Sequence, residues 1–268
     1  MNKTAFLSMY GPWAVVTGAS DGIGQAFAEQ LAELGMHLVI VARRADRLNE
    51  IAHELHTKYA TQVRVIAADL STMQGLEEVE HGTVDLDVGL LITSAGYGTS
   101  GALLQADRLH EHNMLALNCG AVLDQCVSFG NRFRQRGRSG IILLSSLVGW
   151  QGVPHSAHYG ATKAYVQSLA EALRVELKPA GIDVLAAAPG PVHSGFAARA
   201  DMVMRAAVLP SVVARESLKA LGKRGTVVPG GLSKLLTYSL LPLPRFLRSL
   251  ILAQVMDSMT RHQRSDAK

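Results

Sequence analysis

The chain has 268 residues, 48% hydrophobic and 18% charged, with no polar low-complexity tract and no solenoid-type repeat. That length and composition fit one large globular domain and exclude a disordered chain except at its tails. The net charge of +4 is uneven: from Lys219 onward nine basic residues face only Asp257 and Asp266, a local +7 that leaves −3 on residues 1–218.

Residues 1–10 lack the apolar run and cleavage site of a signal peptide. No segment reaches the roughly 18 uninterrupted apolar residues that a membrane-spanning helix needs. A soluble, cytoplasmic protein is therefore expected. Short apolar runs at 13–17, 38–41, 63–67, 89–93, 141–145 and 182–187 read as strands buried on both faces. Helix-period patterns fill 23–34, 47–59, 103–136 and 159–178, and Gly35 and Gly181 mark helix ends. This alternation implies an α/β fold: a doubly wound, mostly parallel sheet with right-handed crossovers and helices on both faces, spanning 1–268 as one domain. Cys119 and Cys126, seven apart on one helical face, are expected as free thiols in the core, with no ligand set spaced for a metal.

The pattern changes after Pro189. Residues 191–225 are small and mixed, with an amphipathic stretch at 196–204, and read as a lid over a substrate. Residues 226–228 suit a last edge strand, and 232–256 form an apolar helical extension broken by Pro242 and Pro244. This extension has two readings, a lid or oligomer contact and a peripheral membrane contact.

The first strand runs into Thr17-Gly18-Ala19-Ser20-Asp21-Gly22-Ile23-Gly24 and then a helix. Glycines there allow a tight turn and close backbone approach, and the helix N-terminus offers free N–H groups to a pyrophosphate. The second strand ends in Ala42-Arg43-Arg44, with no acid where an NAD site places one on the ribose hydroxyls. A guanidinium suits a 2′-phosphate, so NADP(H) is favoured, with Arg43 ahead of Arg44. Asp46 reads as part of the next helix's first turn.

Tyr159 and Lys163 stand one turn apart on a helical face, and Ser146 lies thirteen residues before the tyrosine at a strand's end. A free phenol, with its pKa near ~10, needs a cation beside it to exchange protons at neutral pH. A serine hydroxyl there can bond a substrate oxygen as charge develops on it.

Across residues 10–195 the chain resembles the short-chain dehydrogenase/reductase family. The resemblance rests on the glycine loop, Asp69-Leu70, Asn118, Ser146, the Tyr159/Lys163 pair and Pro189-Gly190-x-Val192-x-Ser194. It implies a Rossmann fold in which Tyr159 is the general acid or base, Lys163 lowers its pKa and binds the nicotinamide ribose, and Ser146 polarises the carbonyl. Asn118 would hold a helix kink and a proton relay to Lys163. Gly18, Ser20, Asp21, Gly22, Ile23, Gly24, Arg43, Arg44, Asp69, Leu70, Ala95, Gly96, Pro189, Gly190, Val192 and Ser194 would line the cofactor. Thr93-Ser94-Ala95-Gly96 departs from the family's asparagine-containing turn, implying a modest loss of local rigidity. Asp21 stands where some NADP-preferring members carry a base.

The opening 10–24 resembles the branch of 3-oxoacyl-CoA reductases and 17β-hydroxysteroid dehydrogenases, which implies an apolar carbonyl or alcohol substrate and a homo-oligomer, dimer or tetramer. His155, His158 and His193 are placed near the cleft mouth. A nucleotide-sensing protein on the same fold is the rival reading, and an epimerase or dehydratase of sugar nucleotides the third. Nothing points to nucleic acid beyond the basic tail.

Overall fold

The computed structural model describes residues 2–204 and 206–264, so Asp266 and Lys268 of the basic tail lie outside the described residues. In chain order the elements are α1 (Lys3–Tyr10), β1 (Trp13–Thr17), α2 (Gly22–Glu33), β2 (His37–Ala42), α3 (Ala45–Tyr59), β3 (Val63–Ala67), α4 (Met73–His81) and β4 (Val88–Thr93). Then come α5 (Arg108–Leu115), α6 (Ala121–Arg136), β5 (Ser139–Leu144), α7 (Ala157–Leu177), β6 (Ile182–Ala187) and α8 (Phe196–Arg199). The chain ends with α9 (Pro210–Ala220), β7 (Thr226–Val227), α10 (Gly231–Leu240) and α11 (Arg245–Met259).

The seven strands pair in parallel in the order β3-β2-β1-β4-β5-β6-β7. Side chains alternate across a strand, so each strand feeds two cores. Ala14, Val16, Leu38, Ile40, Leu90 and Ile92 face one core with Phe27 and Leu31 of α2 and Leu48 and Ile51 of α3. Val15, Val39, Val41 and Leu91 face the other, with Phe129 and Phe133 of α6 and Val166 and Ala170 of α7. Two buried faces are why the strands are continuously apolar rather than alternating. Phe27 is fully buried; Phe27→Ala is expected to cost about 3–5 kcal/mol, read as a lower urea midpoint at unchanged slope.

Strand order reverses between β1 and β4, and Thr17 at the carboxyl end of β1 pairs with both Val41 and Thr93. The three strands therefore end together, opening a crevice where open α/β sheets hold ligands.

Several elements differ from the sequence expectation. The 103–136 helix is not continuous: a short 3-10 turn precedes α5, and a π-helical turn, Ala116–Gly120, joins α5 to α6. Asn118, expected to hold a kink, lies in that π-helical turn. Helix α9 is not part of a lid, because Val213, Ala214 and Leu218 are buried in the core. Gln30 of α2 also donates to Ser211 O at 2.8 Å. The part of the expected lid that precedes α9 is pinned where Val192 pairs with Val208 and His193 N donates to Val208 O at 3.0 Å. Among its described residues only Phe196–Arg199 is helical, and the chain then turns through Asp201 at φ 49°. Helix α1 was outside the expectation; it docks through Phe6 and Tyr10, whose hydroxyl donates to Asp183 Oδ2 at 2.6 Å. Among the described residues no helix is long and apolar enough to cross a membrane.

Candidate active site

The crevice is a cavity of about 410 Å³ at the carboxyl ends of the strands. Its glycine-loop end is shaped by contacts no larger residue would permit. Gly18 has φ +67°, and a Cβ there would sit 2.8 Å from the backbone of Ala95. A Cβ on Gly24 would lie 2.3 Å from Gly18 O, so Gly24 lets the loop fold over α2 and is not itself on the cavity wall. Gly18, Ser20, Asp21, Gly22 and Ile23 do line it. The Asp21 carboxylate accepts from Gly195 N at 3.0 Å, tying the glycine loop to the segment after β6.

The two arginines behave differently. Arg44 Nη2 donates to Ser20 O and Ser20 Oγ, both at 3.1 Å, and so braces the loop. Arg43 is extended and exposed, 3.9 Å from Asp69 Oδ2. Burial works against ionisation of Asp69, but the Ser71 N–H and hydroxyl, with Arg43, outweigh it and hold the carboxyl below its usual range. Leu70, Ala95, Gly96, Pro189, Gly190, Val192 and Ser194 complete the cofactor-sized part of the wall.

The departure at Thr93-Ser94 is met by Thr17. Its hydroxyl donates to Ile92 O at 3.3 Å and accepts from Ala95 N at 3.2 Å, bridging β1 to the turn after β4. Thr93 Oγ1 is buried with no hydrogen-bond partner among the described residues, so the local cost falls on Thr93 rather than on the turn.

Ser146, Tyr159 and Lys163 meet on the same wall. Ser146 follows β5; its hydroxyl donates to Pro189 O and accepts from Val148 N, both at 3.4 Å. Tyr159 and Lys163 stand one turn apart on α7, with Lys163 Nζ 5.8 Å from the phenol ring centre. Burial pushes the Tyr159 phenol up to about 12, with the nearby Ser146 hydroxyl pulling the other way. Lys163 stands beside the phenol and bonds elsewhere. Its ammonium donates to Leu144 O at 2.7 Å, and burial pushes it down to about 8.

This shift fixes a sign. Lys163 holds its proton less tightly folded than unfolded, so between about pH 8 and 10.5 the unfolded chain carries more protons and stability rises with pH. Lys163→Met is expected to flatten that part of the thermal-unfolding profile; an unchanged slope would refute the assignment.

Asn118 is buried behind the cavity rather than on its wall. Its Nδ2 donates to Tyr97 O at 2.8 Å and to Thr162 Oγ1 at 3.1 Å, and its Oδ1 accepts from Tyr97 N at 3.2 Å. A side chain at Gly96 would begin 2.8 Å from Asn118 Oδ1 and 3.6 Å from Lys163 Nζ, so glycine is what lets these two approach. Cys119 and Cys126 are free, buried thiols, as expected, with Cys119 Sγ 3.8 Å from Thr162 O.

The histidines do not line the cavity. His158 is held by Glu111 at 2.5 Å and His155 by Asp257 at 3.1 Å, while His193 is exposed. The walls beyond Tyr159 come from residues the motifs did not nominate: Phe196, whose ring centre is 5.4 Å from that of Tyr159, Met202, Met204, Leu252, Met256 and Met259. Their signal in the sequence was the apolar run at 232–256 and the methionines in both segments, which carry no positional motif.

The sequence model of the family described as short chain dehydrogenase matches residues 12–202. A 7β-hydroxysteroid dehydrogenase of Clostridium sardiniense is 30% identical over 233 residues, 85% of this chain and 89% of that protein. A very-long-chain 3-oxoacyl-CoA reductase of Neurospora crassa is 36% identical over 182 residues, 65% of this chain and 54% of that protein. Among solved structures, a short-chain dehydrogenase from Sphingobium yanoikuyae in complex with NADPH superposes with a TM-score of 0.77. It is 31% identical, covering 82% of this chain and 87% of that one.

Proposed function

The chain belongs to the short-chain dehydrogenase family, and from that premise we propose that it is an NADP(H)-dependent oxidoreductase interconverting a carbonyl compound and a secondary alcohol. The observation that carries this reading is the convergence of a half-buried phenol, a serine hydroxyl and a buried lysine in one cavity with a glycine cradle and two arginines.

The residues present fit the cofactor. The loop around Gly18 and Gly22 leaves no room for a Cβ, as close backbone approach to a pyrophosphate requires. Ala42 presents no carboxylate and Arg43 an exposed guanidinium, which suits a 2′-phosphate. The NADPH held by the Sphingobium yanoikuyae protein supports the same choice. Gly18, Ser20, Asp21, Gly22 and Ile23 would take the pyrophosphate, Arg43 and Arg44 the 2′-phosphate, and Asp69 and Leu70 the adenine. Ala95, Gly96, Pro189, Gly190, Val192 and Ser194 would flank the nicotinamide half, with Lys163 on its ribose. When bound, NADP(H) supplies or accepts the hydride.

The chain's own residues handle the proton. Tyr159 keeps its proton on Oη at neutral pH because burial raises its affinity, so it is set to donate to a carbonyl oxygen in the reductive direction. Ser146, on the same wall as the phenol, would hydrogen-bond the substrate oxygen and so fix its approach to Tyr159. Asn118 is a positioning residue: it holds the Tyr97 backbone and Thr162, and with them Gly96 beside Lys163. In the oxidative direction the phenol must first lose its proton, so alcohol oxidation rises with pH while ketone reduction does not.

Exposed Leu115, Leu123, Val127 and Tyr165 on the α5–α7 side support a homo-oligomer. On α10 and α11, Leu235, Tyr238, Phe246 and Leu250 point outward and suit a partner subunit or a membrane surface. The test of function is NADPH consumption over a panel of ketones, steroids and 3-oxoacyl thioesters. Turnover of bulky apolar ketones is expected; cofactor binding without turnover of any of them would favour the nucleotide-sensing alternative.

A further inference from the structure

The charge pattern of the cavity narrows the substrate, an inference that rests on the oxidoreductase reading above. Beyond Tyr159 the wall is apolar and rich in methionine, a side chain that adapts to irregular apolar bodies. Among the described residues, seven charged ones line the cavity. Asp21, Arg43, Arg44 and Asp69 belong to the glycine-loop end, and Lys163 stands beside Tyr159. The remaining two, Arg199 of α8 and Arg248 of α11, are both cationic, and the only described carboxylates on the wall are Asp21 and Asp69 of the glycine-loop end.

These two arginines sit on segments that pack together through Phe196, Met202, Leu252 and Met256. Arg248 donates Nε to Leu243 O at 2.7 Å and Nη2 to Leu241 O at 2.6 Å, which anchors its guanidinium at the α10–α11 turn and leaves Nη1 for a ligand. The exposed guanidinium of Arg199 has no hydrogen bond or ion pair among the described residues. Cations facing an apolar chamber without a protein counter-charge gain most from an anion brought in with the ligand.

We propose that the cavity takes a bulky apolar ketone or alcohol carrying an ionised acid at the end remote from the reacting carbon, the acid being read by Arg199 and Arg248. The anion comes either as a carboxylate on a ring skeleton or as the phosphates of an acyl thioester.

Steady-state kinetics with two matched pairs tests this: a ketosteroid acid against its methyl ester, and a long-chain 3-oxoacyl-CoA against the N-acetylcysteamine thioester. The charged member of at least one pair is expected to have a kcat/KM about tenfold higher, mainly through KM. The pair that discriminates identifies the anion. Arg199→Gln should cut that ratio to below about threefold. It decides alone, since Arg248 also holds the Leu241–Leu243 turn. Equal kcat/KM within both pairs overturns the proposal, as does Arg199→Gln raising the KM for NADPH with both ratios intact.

If no ketone is turned over, the oxidoreductase reading fails separately. Calorimetry of the corresponding steroid acid lacking the ketone, on NADP+-loaded protein, then still tests the anion site. Binding weakened about tenfold by Arg199→Gln supports it, and no binding to wild type overturns it.

Discussion

Tyr159→Phe removes turnover: kcat/KM for ketone reduction is expected to fall by at least about 10³, near the upper part of the range for deleting a general acid. The substitution deletes one oxygen and keeps the ring, so the packing on Phe196 and the position of α7 are preserved. Lys163 keeps its bond to Leu144 O. NADPH binding, followed by fluorescence titration, should therefore change by less than about threefold. No other described group on the wall replaces the proton: Ser146 is too weak an acid, and Lys163 points at a backbone carbonyl. Turnover within tenfold of wild type would show that the phenol is not the acid.

Arg43→Ala is the second large effect, and its signature is selectivity. Removing an arginine from a phosphate at a partly exposed site costs about 1.5–3 kcal/mol, or about 10–150-fold in NADPH affinity. NADH, lacking the 2′-phosphate, should be nearly unaffected. Arg44→Ala should behave differently, because Arg44 braces the loop through Ser20 O and Oγ. It is expected to weaken both cofactors, NADPH more than NADH. Equal weakening of the two cofactors in Arg43→Ala would transfer the phosphate role to Arg44. The Asp69 carboxylate 3.9 Å away tempers the Arg43 field, so Asp69→Asn should leave NADPH selectivity intact.

The sequence was informative wherever chemistry is local. Strand identity follows from runs such as 38–41, apolar at every position because both faces are covered. The turn at Gly18–Gly24 follows from backbone demands that only glycine meets, and Tyr159 and Lys163 from helical spacing. Local patterns failed where packing decides. Nothing in 210–220 distinguishes a lid helix from a core helix, yet the placement of Ala214 and Leu218 in one core with α2 makes α9 part of it. The π-turn at Ala116–Gly120 inserts a residue into a helical pattern whose periodicity looks continuous.

Proton affinities were likewise beyond the sequence. Tyr-x-x-x-Lys implies a lysine that lowers a phenol's pKa, but the value depends on desolvation and on where the ammonium points. In the structure burial raises Tyr159 and lowers Lys163. The far wall of the cavity is the clearest case. Segments 196–204 and 245–259 are separated by the whole of α9, β7 and α10, and their methionines, with Arg199 and Arg248, share one chamber only because α11 folds back over the strand ends. The sequence by itself determined the sheet, the glycine cradle and the spacing of Tyr159 and Lys163, because each depends on neighbours within a turn or two. Which arginines a substrate meets depends on contacts between segments far apart along the chain, and that the tertiary structure alone decided.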